Sequence, residues 1–132
     1  MGEKIFKHTI AADFVDALGH VNNAKVLTLL EMARWDVVGA HGFTPETIQQ
    51  LGVAPVILEI HIRYLKEMLA GQEIAIRSQL LSYDKKIGKL AQTITRTEDG
   101  VQTADAVVTF GLFDLQARKL VAPTEEWMSA LS

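Results

Sequence analysis

A helical segment whose apolar residues point in every direction limits the fold more than any other feature of the chain. The stretch from Asn23 to about Ala40 consists of good helix formers, and Asn22 or Asn23 can cap its first turn. At about 100° per residue, its polar side chains scatter around the helix instead of collecting on one face. These polar residues are Lys25, Thr28, Glu31, Arg34 and Asp36. We therefore expect a buried helix at the centre of the domain.

Most of the remaining chain alternates with period two, which predicts half-buried strands. In the stretch 56–64, one face is apolar, and the other face combines Ile57 with polar residues. The apolar face comprises Val56, Leu58, Ile60, Ile62 and Tyr64, and the polar residues are Glu59, His61 and Arg63. Further strands are predicted over 5–12, 72–81, 87–96 and 103–114, with a turn at 82–84 and a short helix over 45–51 that Thr44 opens.

One architecture satisfies both patterns. It is an α+β fold in which a curved antiparallel sheet of about five strands wraps around one long central helix. With 132 residues, the chain fits a single domain over 1–132. A sheet covers only part of such a helix, so the remaining apolar surface predicts self-association as a homodimer or homotetramer.

Composition excludes several functions. The chain has no cysteine, which rules out disulfides, thiolate nucleophiles and cysteine-based zinc sites. A net charge of −3 argues against a nucleic-acid partner. Residues 1–8 lack the apolar run of a signal peptide, and no stretch approaches the roughly 20 apolar residues of a membrane span. We therefore expect a cytoplasmic protein without a membrane partner, and no metal, since His8 and His41 have no neighbouring ligands in the sequence.

The segment 13–23, directly before the helix, concentrates the groups that can do chemistry. It places a carboxylate at Asp16, an imidazole at His20 and amides at Asn22 and Asn23. The first N–H groups of a helix have no partner within it and bear a partial positive charge, so they can hold a developing oxyanion. Asp16 can attack a carbonyl or activate water, or it can merely close an Asx turn.

This segment resembles a known family signature. Asp16-Ala17-Leu18-Gly19-His20-Val21-Asn22-Asn23, followed by Leu30-Glu31-Met32-Ala33-Arg34-Trp35, is similar to the 4-hydroxybenzoyl-CoA thioesterase family. Weaker similarity extends over Arg63-Tyr64-Leu65 with Gly71 and over 107–115 up to Pro123, and so covers most of the chain.

The resemblance implies a hot-dog fold and hydrolysis of an acyl-CoA to the free acid and CoA. Asp16 would be the nucleophile or general base, and the backbone N–H of Asn23 would bind the thioester carbonyl. Many relatives have an aromatic residue where this chain has Val26, which places that position at the substrate. No metal or redox cofactor is implied, because coenzyme A enters as part of the substrate.

The remaining candidates are open to more than one interpretation. His20 can bond Asp16, contact the carbonyl or orient the loop. Glu31 and Arg34 are spaced for an ion pair and are expected to be structural. Lysines of the 82–89 region, with Arg63 and Lys66, can bind CoA phosphates or can simply be solvated. The predicted substrate-binding set is Asn22, Val26, Arg63, Tyr64, Lys86 and Lys89, and Lys85 belongs to the same lysine group.

Two alternative functions share the same pattern. The chain can hydrolyse acyl groups on acyl carrier protein, which presents the same pantetheine arm as coenzyme A. It can also be a non-catalytic acyl-CoA-binding module that retains the fold, and such a module would be stabilised by its ligand without turnover.

Overall fold

The apolar helix predicted from Asn23 is present as α1, Asn23–Gly39, in a computed structural model that describes residues 3–132. Residues 1 and 2, which belong to the predicted domain 1–132 and to the segment compared with a signal peptide, lie outside the described residues. Asn22 is the N-cap, and its side-chain oxygen accepts a hydrogen bond from the Ala24 N–H at 2.8 Å. This bond fixes the start of α1 where the sequence predicts it.

All the predicted strands are present in one antiparallel sheet. The strands are β1 Lys4–Thr9, β2 Val53–Tyr64, β3 Glu73–Asp84, β4 Ile87–Arg96, β5 Gln102–Asp114 and β6 Lys119–Val121. Their order across the sheet is β1-β3-β4-β5-β2, and β6 pairs with the end of β5. β1 and β2 are therefore the two edges of the sheet, and β2 is twice as long, with 12 residues against 6.

α1 packs on the sheet through two apolar clusters. Leu29, Leu30 and Ala33 are fully buried against β3 and β4 in the first cluster. Val37 and Val38 pack against β5 and the C-terminal helix in the second. Part of α1 stays uncovered, as expected for a helix wrapped on one side: Leu27 is 36% exposed.

The chain has more elements after β5 than the sequence predicts. The sheet has six strands instead of about five, and α3, Glu125–Leu131, closes one end of the core. The missed signal for α3 is Thr124, whose hydroxyl accepts a hydrogen bond from the Trp127 N–H at 3.1 Å. The predicted helix over 45–51 is too long: α2 spans Ile48–Leu51, and residues 45–47 form a turn. Thr44 opens this turn as predicted, because its hydroxyl accepts a hydrogen bond from the Thr47 N–H at 3.2 Å.

The turn after β3 was predicted wrongly. The sequence places it at 82–84, whereas β3 continues to Asp84 and the chain reverses at Lys85 and Lys86. Lys85 has a φ of 57°, a backbone conformation in which lysine is rare, so composition gives no turn signal there.

A β-bulge in β2 shifts the alternation predicted for this strand. The pairing with β5 changes register between Ile57 and Glu59, which leaves Leu58 as an extra residue. N-terminal to the bulge, Pro55 and Ile57 line a cavity beside α1, so Ile57 was wrongly assigned to the outer face. Leu58 is 46% exposed. A strict period of two cannot reveal such an insertion.

None of the helices in residues 3–132 has the length and apolar character needed to cross a bilayer.

Candidate active site

Backbone hydrogen bonds hold the loop before α1 in a tight reversal. The Asp16 N–H donates to the His20 carbonyl at 3.1 Å, and the Gly19 N–H donates back to the Asp16 carbonyl at 3.0 Å. Gly19 has a φ of 85°, which favours glycine at the tip of this turn. Val21 N–H donates to the Met68 carbonyl at 2.8 Å and ties the loop to the segment after β2. Asp16 is therefore presented from a fixed backbone.

The Asp16 carboxylate accepts two hydrogen bonds. Its Oδ1 accepts from the Leu18 N–H at 2.9 Å, and its Oδ2 accepts from Nδ2 of Asn22 at 3.1 Å. Both bonds favour the ionised form, and with the Leu18 N–H as the larger cause they lower the pKa of Asp16. The side chain stays partly open to solvent. Asp16 is thus an accessible carboxylate that is charged at neutral pH.

The first turn of α1 leaves one N–H group free. Asn22 accepts from the Ala24 N–H through its side chain, and its carbonyl accepts from the N–H groups of Lys25 and Val26 at 2.9 and 3.1 Å. Among residues 3–132, the N–H of Asn23 has no such acceptor. This donor lies at the positive end of the helix dipole, where an oxyanion is stabilised.

Asn22 links the carboxylate to the helix terminus. Its Nδ2 donates to Asp16 while its Oδ1 caps the Ala24 N–H, so one side chain sets the position of Asp16 relative to the start of α1. Asn22 is predicted from the sequence as a capping or substrate-binding residue, and its bond to Asp16 is a further contact that the sequence does not reveal. The structure thus places a charged carboxylate and a free N–H donor on adjacent parts of one exposed surface.

His20 and Tyr64 also lie at the start of α1. The Tyr64 hydroxyl, at the end of β2, donates to the Asn23 carbonyl at 3.2 Å. Nδ1 of His20 lies 3.8 Å from a carboxylate oxygen of Glu67, a residue that the sequence analysis did not consider. In the described part of the chain, the His20 ring makes no hydrogen bond to Asp16. Its position at the turn fits the loop-orienting alternative.

Three predicted substrate-binding residues lie away from this surface, and the guanidinium of a fourth, Arg63, is paired with another residue. Lys86 and Lys89 are near the turn between β3 and β4, at the opposite end of the sheet, and the 10 residues of β4 span about 30 Å. Arg63 binds Asp105, with Nε 2.9 Å from Oδ1. The Val26 side chain is 3% exposed and packs in the core. The predicted cluster of basic residues around a nucleotide is therefore not formed within one chain.

In residues 3–132, no group of three or more His, Asp or Glu side chains is placed to hold a metal ion.

Comparison with known proteins finds a matching family model, similar sequences and similar structures. The family model described as the Thioesterase-like superfamily matches residues 10–131. The long-chain acyl-CoA thioesterase FadM of Escherichia coli (strain K12) is 37% identical over 109 residues, which cover 82% of this chain and 81% of that protein. The crystal structure of YbaW Probable Thioesterase from Escherichia coli superposes with a TM-score of 0.79 at 31% identity and covers 96% of this chain and 95% of its own.

A more distant structure shares the fold. The 1,4-dihydroxy-2-naphthoyl-CoA thioesterase Slr0204 from Synechocystis superposes with a TM-score of 0.89 at 15% identity, over 98% of this chain and 96% of its own. The α+β hot-dog fold predicted from the sequence is confirmed by these superpositions.

Proposed function

This chain belongs to the thioesterase-like superfamily and is a thioester hydrolase, and from that premise we propose that it hydrolyses a fatty acyl-CoA to the free acid and coenzyme A. The sequence similarity to FadM, which extends over most of both proteins, supports this substrate class, because FadM is named a long-chain acyl-CoA thioesterase. The proposed chemistry uses a carboxylate, water and backbone donors, so it needs no metal or redox cofactor. The cytoplasmic location stays a prediction from the sequence.

One observation supports the site: Asn22 bonds the Asp16 carboxylate and also caps the helix start where the free Asn23 N–H lies, so the two groups are held close to each other. In the proposed reaction, a carboxylate oxygen of Asp16 attacks the thioester carbon, and the Asn23 N–H stabilises the oxyanion. The C–S bond then breaks, and coenzyme A leaves as a thiolate that takes a proton from water. Water cleaves the resulting acyl–aspartyl anhydride, which releases the acid and restores the carboxylate.

The electrostatics of Asp16 fits both direct attack and general-base catalysis. The two hydrogen bonds that lower its pKa keep the carboxylate charged at neutral pH, and they weaken it equally as a nucleophile and as a base. A single turnover in ¹⁸O-labelled water tests which route is used. If water attacks the aspartyl carbon of the anhydride, the label appears in the aspartate after one turnover, which a general base cannot produce. Attack at the acyl carbon leaves the label in the fatty acid, as a general base does, and trapping of the anhydride with hydroxylamine then separates the two routes.

Asp16→Asn tests the proposed function. We expect kcat/KM for dodecanoyl-CoA to fall at least about 100-fold, since the amide neither attacks nor activates water. The matched control is Asp13→Asn, which changes an exposed aspartate on the same loop and is expected to keep the wild-type rate. Circular dichroism and thermal unfolding verify the fold of both variants. Full activity in a folded Asp16→Asn variant would refute the role of this carboxylate.

We propose a homodimer that forms through β2. Within residues 3–132, the outer edge of this 12-residue strand has no partner strand, and such an edge is a template for pairing. Its apolar residues Ile57, Leu58 and Tyr64 are 43%, 46% and 49% exposed. A second copy of the chain would cover both the edge and the open side of α1.

Leu58→Lys tests this interface by sedimentation velocity. We expect the variant dimer to dissociate at protein concentrations at least about tenfold higher than those at which the wild-type dimer dissociates, because a charge is buried without a partner. Leu81→Lys is the control, since Leu81 is 54% exposed on β3, away from the edge. A monomeric wild-type protein at all concentrations would refute the proposal.

A further inference from the structure

An open cavity lies beside the C-terminal half of α1. Its enclosed volume is about 100 Å³, less than the roughly 300–1,000 Å³ of a complete small-molecule site, so it has room for one end of a ligand and not for a whole acyl-CoA. The wall is mainly apolar and includes Trp35, Val38, Pro55, Ile57, Phe110 and Trp127. Glu31 and Arg34 are its two charged residues.

One side of α1 lies between the proposed catalytic surface and the cavity. Asn23, Leu27 and Glu31 are spaced four residues apart, so they lie on one side of the helix, and Arg34 and Trp35 follow one turn later. Leu27 is 36% exposed and bridges the interval. At 1.5 Å per residue, Glu31 lies about 12 Å and Trp35 about 18 Å from Asn23 along the axis.

This spacing sets the chain length that reaches the cavity. An extended alkyl chain advances about 1.3 Å per carbon, given a C–C bond of about 1.5 Å. A chain whose carbonyl is at the Asn23 N–H therefore enters the cavity after about nine carbons and reaches Trp35 after about 14.

Arg34 introduces a fixed cation into this apolar wall. Its Nη1 donates to Oε1 of Gln92 at 3.0 Å, and Gln92 is in turn held by the Leu30 carbonyl and the Ser78 hydroxyl. The predicted ion pair with Glu31 is not formed within 4.0 Å in residues 3–132. Burial lowers the pKa of Arg34, so the charged group is already poorly solvated.

The other N–H groups of Arg34 have no acceptor among the described residues, although no buried polar side-chain atom there lacks a partner. These donors therefore keep some exposed surface, and Arg34 is one of the residues that line the cavity. A saturated chain would cover them with hydrocarbon and leave them without a hydrogen bond. An oxygen atom at the same place would accept a hydrogen bond, with added strength from the charge.

We propose that this cavity binds the distal part of the acyl chain and that Arg34 donates a hydrogen bond to an oxygen substituent on it. The inference rests on the proposed acyl-CoA hydrolysis and narrows its substrate class. Helix side chains lean towards the N-terminus, which places the guanidinium opposite carbons about 9–12 of the chain. The preferred substrate is thus a fatty acyl-CoA with a hydroxyl or carboxyl group at that distance, and Arg34 is a specificity-determining residue.

The test compares kcat/KM for dodecanoyl-CoA, 3-hydroxydodecanoyl-CoA and 12-hydroxydodecanoyl-CoA. We expect wild type to prefer the 12-hydroxy chain over the saturated chain at least about tenfold, which corresponds to about 1.4 kcal/mol. The 3-hydroxy chain should gain nothing, because its oxygen is far from Arg34. These comparisons require no variant, and a wild-type preference of less than twofold would overturn the inference.

Arg34→Met keeps most of the side-chain volume and removes the donors. We expect its preference for the 12-hydroxy chain to disappear, with an equal or higher rate on the saturated chain. Arg77→Met is the matched control, since Arg77 is half-exposed on β3 and pairs with Glu3, and it should retain the wild-type preference. If Arg34→Met slows all substrates equally, Arg34 is only structural and the inference fails. If wild type hydrolyses none of the acyl-CoAs, the proposed function itself fails.

Discussion

Replacing Gln92 by leucine, a residue of similar size, measures how much the buried amide beneath α1 contributes to stability. Gln92 is fully buried. Its Nε2 donates to the Leu30 carbonyl at 3.1 Å and to the Ser78 hydroxyl at 3.0 Å, and its Oε1 accepts from Arg34 at 3.0 Å. The amide therefore joins the central helix to β3 and β4.

The expected loss follows from these three bonds. Two bonds between neutral groups contribute about 1 kcal/mol each and the bond to the guanidinium about 1.5–3 kcal/mol. The added apolar surface of leucine returns about 1–2 kcal/mol, so Gln92→Leu should lower the free energy of unfolding by about 1.5–4 kcal/mol. With an unfolding entropy of about 2.1 cal/mol/K for each of 132 residues, Tm should fall by about 5–14 °C.

Urea unfolding followed by circular dichroism measures this loss. Gln79→Leu is the matched control, because Gln79 is exposed on β3 and should change stability by less than about 0.5 kcal/mol. A double-mutant cycle with Arg34→Met should give a coupling of about 1 kcal/mol or more between the two side chains. A loss below about 1 kcal/mol for Gln92→Leu, or a coupling near zero, would refute the assigned hydrogen bonds.

Further predictions concern packing, pH and a surface ion pair. Gly88→Ala should destabilise the fold by about 1–3 kcal/mol, because a Cβ there would lie 2.6 Å from the buried Phe110 ring; an unchanged Tm would contradict this. The pKa of Asp16 is below its ordinary value of 3.8, so the carboxylate stays charged and kcat/KM should stay constant as pH falls from neutral to about 5. A loss of activity centred above pH 5, on the acid limb of the pH profile, would contradict this. Asn22→Ala removes a bond to the ionised form, so the limb should move to higher pH, and an unmoved limb would exclude the bond. Asp105→Asn, which breaks an exposed pair with an arginine on β2, should cost less than about 1 kcal/mol in a thermal unfolding assay at pH 7, whereas a larger loss would show that the pair is not screened.

The central helix and the middle strands were predictable because their signals are local. α1 begins at Asn23 because Asn22 has the short polar side chain that caps a helix, and β4 has the predicted bounds Ile87–Arg96. Features that depend on tertiary contacts were missed. The bulge at Leu58 and the turn at Lys85 follow from pairing with neighbouring strands, and neither residue has an unusual propensity that would have revealed it.

The site could be predicted in part. Its loop residues are adjacent in sequence. Asp16 must lie near the start of α1 because only a few residues separate them along the chain. The position of the lysines depends on which end of the sheet each turn occupies, so the sequence could not show that Lys86 and Lys89 lie at the end of the sheet opposite Asp16. The contact of Arg34 with Gln92 joins residues 58 positions apart, which no local pattern encodes.

Because of the extra residue in β2, either of two sets of apolar side chains can face the cavity. In the observed pairing, Pro55 and Ile57 face the cavity. If the N-terminal half of β2 slipped by one residue, Val56 and Leu58 would face it instead, since side chains alternate strictly along a strand. Deleting Leu58 would straighten the strand without changing which residues point inwards. The shape of the cavity beside α1 can thus be altered in two ways, by substitution of the lining residues or by slippage of a single strand, and the second way requires no change in amino-acid composition.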